Sequence, residues 1–292
     1  MNAFTIKDLE NLSGIKAHTI RIWEQRYSFL RPQRTDTNIR YYNNEELKKL
    51  LNVALLNKYG FKISHIDKMN EIEIKDRILS LSQVQAQQER IINELIQSMI
   101  ELEIEQFESI LDNYIMARGI ERSIVQIIFP FLEKIGILWS TNHINPAQEH
   151  LVTNIVRQKL IVGIESVNTH MQVNKTLLLF LPEGEHHELG LLFIHYLLCS
   201  RGLKVLYLGS NVPLKDVDYV LQVKKTDFVY AHLTSLAHNF NFDRFLTQLS
   251  QKIKNVPIII SGLVTQQYRK TPPPGIHLKK SLSEVMEYIS SL

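Results

Sequence analysis

From residue 175 onward the apolar residues abandon helical spacing and gather into short runs. These are Thr176–Leu181, Val205–Leu208, Phe228–Ala231, Pro257–Ile260 and a weaker one at Ile276–Leu278, with helical stretches between them. Runs of this length with no polar alternation are buried on both faces, and strands separated by helices build a parallel sheet with helices on either side. Ligands of such sheets bind beyond the carboxyl ends of the strands. The loops after these runs are therefore the first place to look for function.

The loop after the first run reads Pro182-Glu183-Gly184-Glu185-His186-His187-Glu188-Leu189-Gly190. Two histidines among three carboxylates form either a solvated loop or a site for a divalent metal, since imidazole is a common ligand. Thr234-Ser235-Leu236 follows the third run and Ser261-Gly262 the fourth.

Upstream, from about Leu79 to Asn168, Gly and Pro are sparse and apolar residues recur at helical spacing (Ile91, Ile92, Leu95, Met99, Leu102, then Phe107, Ile110, Leu111, Tyr114). Four helices fit, dividing near Glu103, near Gly119 and across Ser140–Asn145, and a four-helix bundle explains most of these residues as core. Asn145-Pro146 opens the last helix, because Asn caps and Pro at the first helical position loses no hydrogen bond. Trp139 precedes that loop, and Glu149-His150 falls about one turn after it.

Residues 1–70 carry 12 Lys and Arg against 7 Asp and Glu, so the basic excess of the chain, whose formal net charge is +3, lies entirely in this segment. A polyanion-binding module places its charge this way. Thr5 caps a short helix with Ile6, Leu9 and Leu12 on one face, Ser13-Gly14 breaks it, and a second helix runs from about Lys16 to Arg26. With Ile15, Ile20 and Trp23 or Ile22 turned inward, Lys16, His18, Thr19 and Arg21 are left for a DNA groove. A basic wing follows, with Asn38 at a tight turn that wants positive φ, and Arg34, Arg40 and Tyr42 placed for phosphate oxygens. Helices over about Glu45–Lys58 and Lys62–Met69 complete the segment.

The single Cys199 permits no internal disulfide and no cysteine-only metal site, which fits a reducing cytoplasm. No stretch approaches the roughly 18 apolar residues of a bilayer span, and charged residues occupy the start of the chain where a signal peptide would be apolar, so no membrane association is expected.

The N-terminal segment resembles the MerR family of winged helix-turn-helix regulators through Ser13-Gly14-Ile15, Thr19-Ile20-Arg21, Trp23-Glu24, Arg26-Tyr27, Leu30, Pro32, Arg34, Arg40, Tyr42 and Gly60-Phe61. Asn38 stands where the wing usually has glycine. Trp139, nine residues, then Glu149-His150 resembles the helical cap over cobalamin in light-responsive regulators of the CarH and LitR type. Glu185-x-His187-x-x-Gly190 resembles the Asp-x-His-x-x-Gly motif of cobalamin-binding domains, with Glu for Asp. Thr234-Ser235-Leu236 matches the Ser-x-Leu loop of that family with Thr for Ser, and Ser261-Gly262 stands where a Gly-Gly pair is usual.

The resemblance implies that His187 ligates cobalt from below with Glu185 fixing its tautomer. It also implies that Gly190, Thr234, Leu236, Ser261 and Gly262 bind the cofactor, with Gly190 and the Ser261-Gly262 pair beside its nucleotide tail. Trp139, Glu149 and His150 would lie on the upper side, with His150 as second axial ligand. The expected architecture is multidomain α and α/β: a winged helix-turn-helix over 1–73, a helical bundle cap over 79–170, and a Rossmann-like (flavodoxin-like) domain over 174–292. The expected function is a cytoplasmic, homo-oligomeric (dimeric or tetrameric) repressor that binds double-stranded DNA and senses light through adenosylcobalamin, and not an enzyme. Corrinoid enzymes share the cobalamin domain, but the catalytic barrel they use takes about 250 further residues. The alternative is a MerR-type regulator whose sensor has lost cobalamin, with Ser261 as its motive.

Overall fold

The computed structural model describes residues 3–140, 144–167, 173–234 and 240–292. The chain divides into two compact units, Met1–Ile155 and Val156–Leu292, with the boundary inside a long helix. In the first unit, Thr5 caps α1 (Ile6–Ser13) in a reciprocal box with Asp8, and Gly14 ends the helix in the left-handed conformation at φ 73°. The helix α2 (Ala17–Arg26) follows after one turn and buries Ile20 and Trp23, while Ile22 stays outside. Strands β1 (Gln33–Arg34) and β2 (Arg40–Tyr41) pair antiparallel as the wing, with Asn38 at φ 65° in its turn. Phe4 bridges to Tyr42, which closes the wing onto the start of the chain.

The helix α3 (Asn44–Lys58) follows, capped by Asn43 and Glu46. Two shorter helices come next, α4 (Ile63–Ile66) and α5 (Glu71–Leu79), the latter capped by Asn70 and Glu73. The bundle helices are α6 (Val84–Glu101), α7 (Ile104–Arg118), a run from α8 (Ile120–Ser123) through a π-helical turn at Ile124–Ile128 into α9 (Phe129–Ser140), and α10 (Pro146–Ser166). The four expected helices are present among the described residues. The fully buried Phe107 and Phe131 pack ring to ring at 5.5 Å between α7 and α9. Lys134, on α9, joins the bundle to the helix-turn-helix by donating to the Leu12 carbonyl at 3.2 Å.

The second unit holds the five expected strands: β3 (Thr176–Pro182), β4 (Lys204–Val212), β5 (Phe228–His232), β6 (Ile258–Ser261) and β7 (Ile276–Leu278). They are all parallel in the order β4-β3-β5-β6-β7. Helices α11 (Leu189–Ser200), α12 (Leu214–Val223), α13 (Phe242–Lys252), α14 (Leu263–Gln267) and α15 (Leu282–Ser290) connect or follow them. On one face Leu178, Phe180, Val229, Ala231, Ile258 and Ile260 share a core with Leu246 and Leu249 of α13. The strand order reverses between β3 and β5, and at such a switch point the connections leave in opposite directions and open a crevice above the strand ends. The loop carrying Glu185 and His187 begins there.

Candidate functional site

Glu185 is fully buried, and its backbone N–H donates to the Pro182 carbonyl at 2.9 Å, which tightens the turn after β3. Asn211, in the left-handed conformation at φ 57° on β4, braces the same turn from its side chain to the N–H of Gly184 at 2.9 Å. The carboxylate thus fixed collects donors. Oε1 accepts from the backbone N–H groups of His186 and His187, each at 2.9 Å, and lies 2.7 Å from His187 Nδ1. Oε2 accepts from the backbone N–H of Thr234 at 2.8 Å, so the loops after β3 and β5 are joined across the switch point.

The His187 side chain remains 58% exposed. A carboxylate on Nδ1 fixes the proton there and leaves the Nε2 lone pair as the coordinating one, which is how proteins orient a metal-bound imidazole. The alternative of a bare divalent ion held by several side chains finds no set of three His, Cys, Asp or Glu among the described residues. A metal brought inside a macrocycle needs only one protein ligand below it, and the Glu185–His187 pair fits that requirement.

The space beneath the pair fits less well. Gly190, in the first turn of α11, is where a nucleotide tail was expected to find room. A Cβ built there would lie 2.3 Å from His232 Nε2, so the imidazole already occupies that room. His232 ends β5 in register with Ser261 at the end of β6. Its Nδ1 lies 2.8 Å from the Ser261 hydroxyl, and the buried Tyr230 hydroxyl lies 2.5 Å from the same oxygen. Burial holds the His232 imidazole down to about 4, against a smaller opposing pull from Glu185, and drives the Tyr230 hydroxyl above the ordinary tyrosine range. A neutral ring satisfies the cluster, with Tyr230 donating to Ser261 and Ser261 donating to Nδ1. At Gly262, φ is 107° and a Cβ would stand 2.1 Å from the Leu233 carbonyl oxygen, so this glycine serves the chain's own packing. Thr234 contributes its backbone N–H, and Leu236 lies outside the described residues.

His232 is not marked by the sequence motifs, because it falls between the apolar run Phe228–Ala231 and the Thr234-Ser235-Leu236 loop. A polar residue closing an apolar strand was the available signal. A second missed group is Glu188: it pairs with Arg157 of α10 at 2.8 Å and accepts from the Tyr207 hydroxyl at 2.8 Å, which ties the histidine-bearing loop to α10.

At the start of α10, the Asn145 side chain accepts from Ala147 N at 2.9 Å, and the buried Gln148 returns the cap by accepting from Asn145 N at 2.9 Å. The Gln148 amide also donates to the Ile100 carbonyl at 2.8 Å, which anchors this helix start to the end of α6. Glu149 and His150 face each other at 3.1 Å, with the His150 side chain exposed. Trp139 is placed by its backbone on the last turn of α9.

In the DNA-facing set, Lys16, His18 and Arg21 are exposed on or beside α2, with Lys16 3.3 Å from Glu10 and the partly exposed Thr19 hydroxyl 3.3 Å from His18 Nε2. Arg34 is exposed on the wing and donates to the Asn38 side chain at 2.7 Å. Arg40 is half-buried and held 3.3 Å from Glu24. Tyr42, expected at the phosphate surface, is instead fully buried, and its hydroxyl donates to Glu24. Its backbone pairs with that of Phe4, and its hydroxyl shares Glu24 with Arg40.

Comparison with known proteins finds similarity in both the N-terminal segment and the helical bundle. The MerR HTH regulatory protein family matches residues 4–71, and the B12 binding domain family matches residues 91–162, which are the bundle helices. The HTH-type transcriptional repressor CarH of Myxococcus xanthus is 26% identical over 274 residues, covering 91% of each chain. CarA of the same organism is 25% identical over 267 residues, covering 91% of this chain and 88% of its own. Among solved structures, the monomethylamine corrinoid protein of Methanosarcina barkeri shares the fold over 70% of this chain and 99% of its own, with a TM-score of 0.51 and 11% identity. The chain is thus similar to MerR HTH regulatory proteins over residues 4–71, to B12 binding domains over residues 91–162, and over most of its length to two transcriptional repressors.

Proposed function

We propose that this protein is a cytoplasmic, homo-oligomeric repressor that binds double-stranded DNA and responds to light through adenosylcobalamin. The observation that carries the reading is the buried Glu185 carboxylate on His187 Nδ1, at the switch point of a sheet in a chain that begins with a MerR domain. Its similarity to the two transcriptional repressors of Myxococcus xanthus supports the direction of regulation.

In this reading His187 would ligate the cobalt through Nε2, and Glu185 would hold the imidazole in the tautomer that allows it. Trp139, Glu149 and His150 would hold the cofactor from the helical domain, with His150 as a second candidate ligand of the cobalt. When bound, adenosylcobalamin supplies a cobalt–carbon bond that light breaks. Arg157, through Glu188, holds the His187 loop to α10, the helix that opens with Glu149-His150. Lys134 and the Leu12 carbonyl then link α9, which carries Trp139, to the end of α1. Exposed Arg21 and Arg34, with Lys16, His18 and Thr19, supply the DNA contacts. The protein carries no catalytic role in this account.

The test is retention of adenosylcobalamin through gel filtration in the dark, followed by a change in absorbance and elution volume after green light. A second reading, a MerR-type regulator answering to another ligand or a protein, is favoured by the His232 ring against Gly190. Protein that elutes without chromophore selects it.

A further inference from the structure

Cobalamin carries two separable recognition elements, the corrin with its metal and the nucleotide that hangs below it. The residues of this chain treat them differently. The Glu185–His187 pair is built for the metal, with the carboxylate buried and its oxygens engaged by Nδ1 and by backbone N–H groups. The region under Gly190 is built shut. His232 fills it, and the ring is pinned by Ser261, which is pinned in turn by Tyr230. His232 and Ser261 are the paired last residues of two neighbouring strands, and Tyr230 lies two residues earlier on the strand that His232 ends. Admitting a nucleotide there would expel the ring and leave the buried Ser261 hydroxyl, which keeps its bond to Tyr230, without an acceptor for its own proton.

We propose that His232, Ser261 and Tyr230 are specificity-determining residues that close the nucleotide slot, so that the site takes corrinoids by the corrin and its metal, whatever lower nucleotide they carry. The ligand class is therefore wider than cobalamin and includes corrinoids with no nucleotide at all. This rests on the reading that His187 ligates a corrinoid. It explains Gly190 without a tail, because the glycine is required by His232. It also explains Ser261 as a gain of a hydrogen-bonding partner for that ring.

The test is equilibrium dialysis of the full chain against cobinamide, which lacks the nucleotide, and against hydroxocobalamin. The expected result is that the two bind within roughly threefold of each other, or that cobinamide binds more tightly. The His232→Gly/Ser261→Gly variant, checked for folding by circular dichroism, should gain about tenfold for cobalamin while its cobinamide affinity changes less than threefold. Wild-type protein that prefers cobalamin over cobinamide by about tenfold or more overturns the inference and leaves the His187 reading standing. Failure of both corrinoids to bind overturns the two together. Because the wild-type comparison needs no substitution, an unfolded variant does not rescue the proposal.

Discussion

Replacing Glu185 by Gln separates charge from shape at the centre of the sensor. The carboxylate is fully buried, with three donors on Oε1 (His186 N, His187 N and His187 Nδ1, at 2.7–2.9 Å) and Thr234 N on Oε2 at 2.8 Å. Glutamine keeps one acceptor, which belongs on the side with three donors. Its amide nitrogen then faces the Thr234 N–H, donor against donor, and a buried unsatisfied group costs about 1–3 kcal/mol. The other bonds lose their charge and roughly half their strength. Together these amount to a destabilisation of about 3–5 kcal/mol, a large share of the 5–15 kcal/mol that holds a domain. The denaturant midpoint of Glu185→Gln should fall accordingly, and corrinoid affinity should drop roughly 10- to 100-fold, because an outer carboxylate raises the basicity of a ligating imidazole. Glu185→Asp, which restores the charge on a shorter arm, should recover part of both. A Gln variant with the wild-type midpoint and wild-type retention of the corrinoid would refute the reasoning.

Arg34→Ala should weaken binding to all DNA sequences and reduce the salt slope by about one, whereas Tyr42→Phe, which removes a buried hydroxyl from Glu24, should leave the slope unchanged and lower stability by about 1 kcal/mol. Salt titrations of DNA binding, paired with urea unfolding, check both. The His232 imidazole is held down to about 4, so below the ordinary histidine value the unfolded chain takes up a proton that the folded chain does not. Stability present at pH 7 should therefore fall between about pH 6.5 and pH 4 by up to about 3 kcal/mol, and His232→Asn should flatten that part of the profile. Lys134→Met retains the packed stem and removes the donor to Leu12, which should cost about 1–2 kcal/mol in unfolding of the N-terminal unit, measured by denaturant with the slope held common.

The regular elements were legible because burial writes a period. The strands β3, β5 and β6 are largely buried runs, and the bundle helices repeat their apolar residues at helical spacing with breaks at Gly119 and Asn145. What the sequence hid depends on partners far away in the chain. Tyr42 reads as a wing residue, yet in the fold its backbone pairs with Phe4 and its hydroxyl is taken by Glu24. Arg40 looked free until the same Glu24 paired with it. The π-helical turn at Ile124–Ile128 has no signature in the sequence, and α5 spans the junction between the expected domains 1–73 and 79–170. At the sensor, Glu185, His187 and Gly190 were readable because they share one loop and helix start. His232 was not, because its approach to Gly190 exists only once β5 is laid beside β3.

The central claim is that a protein histidine, not the corrinoid's own nucleotide base, holds the cobalt from below. Electron paramagnetic resonance of the cobalt(II) corrinoid bound to uniformly 15N-labelled protein reads the axial nitrogen directly, since a 14N nucleus splits each cobalt line into three and a 15N nucleus into two. The account predicts doublets that disappear in His187→Ala. Triplets from labelled protein, or doublets that survive the loss of His187, would contradict it.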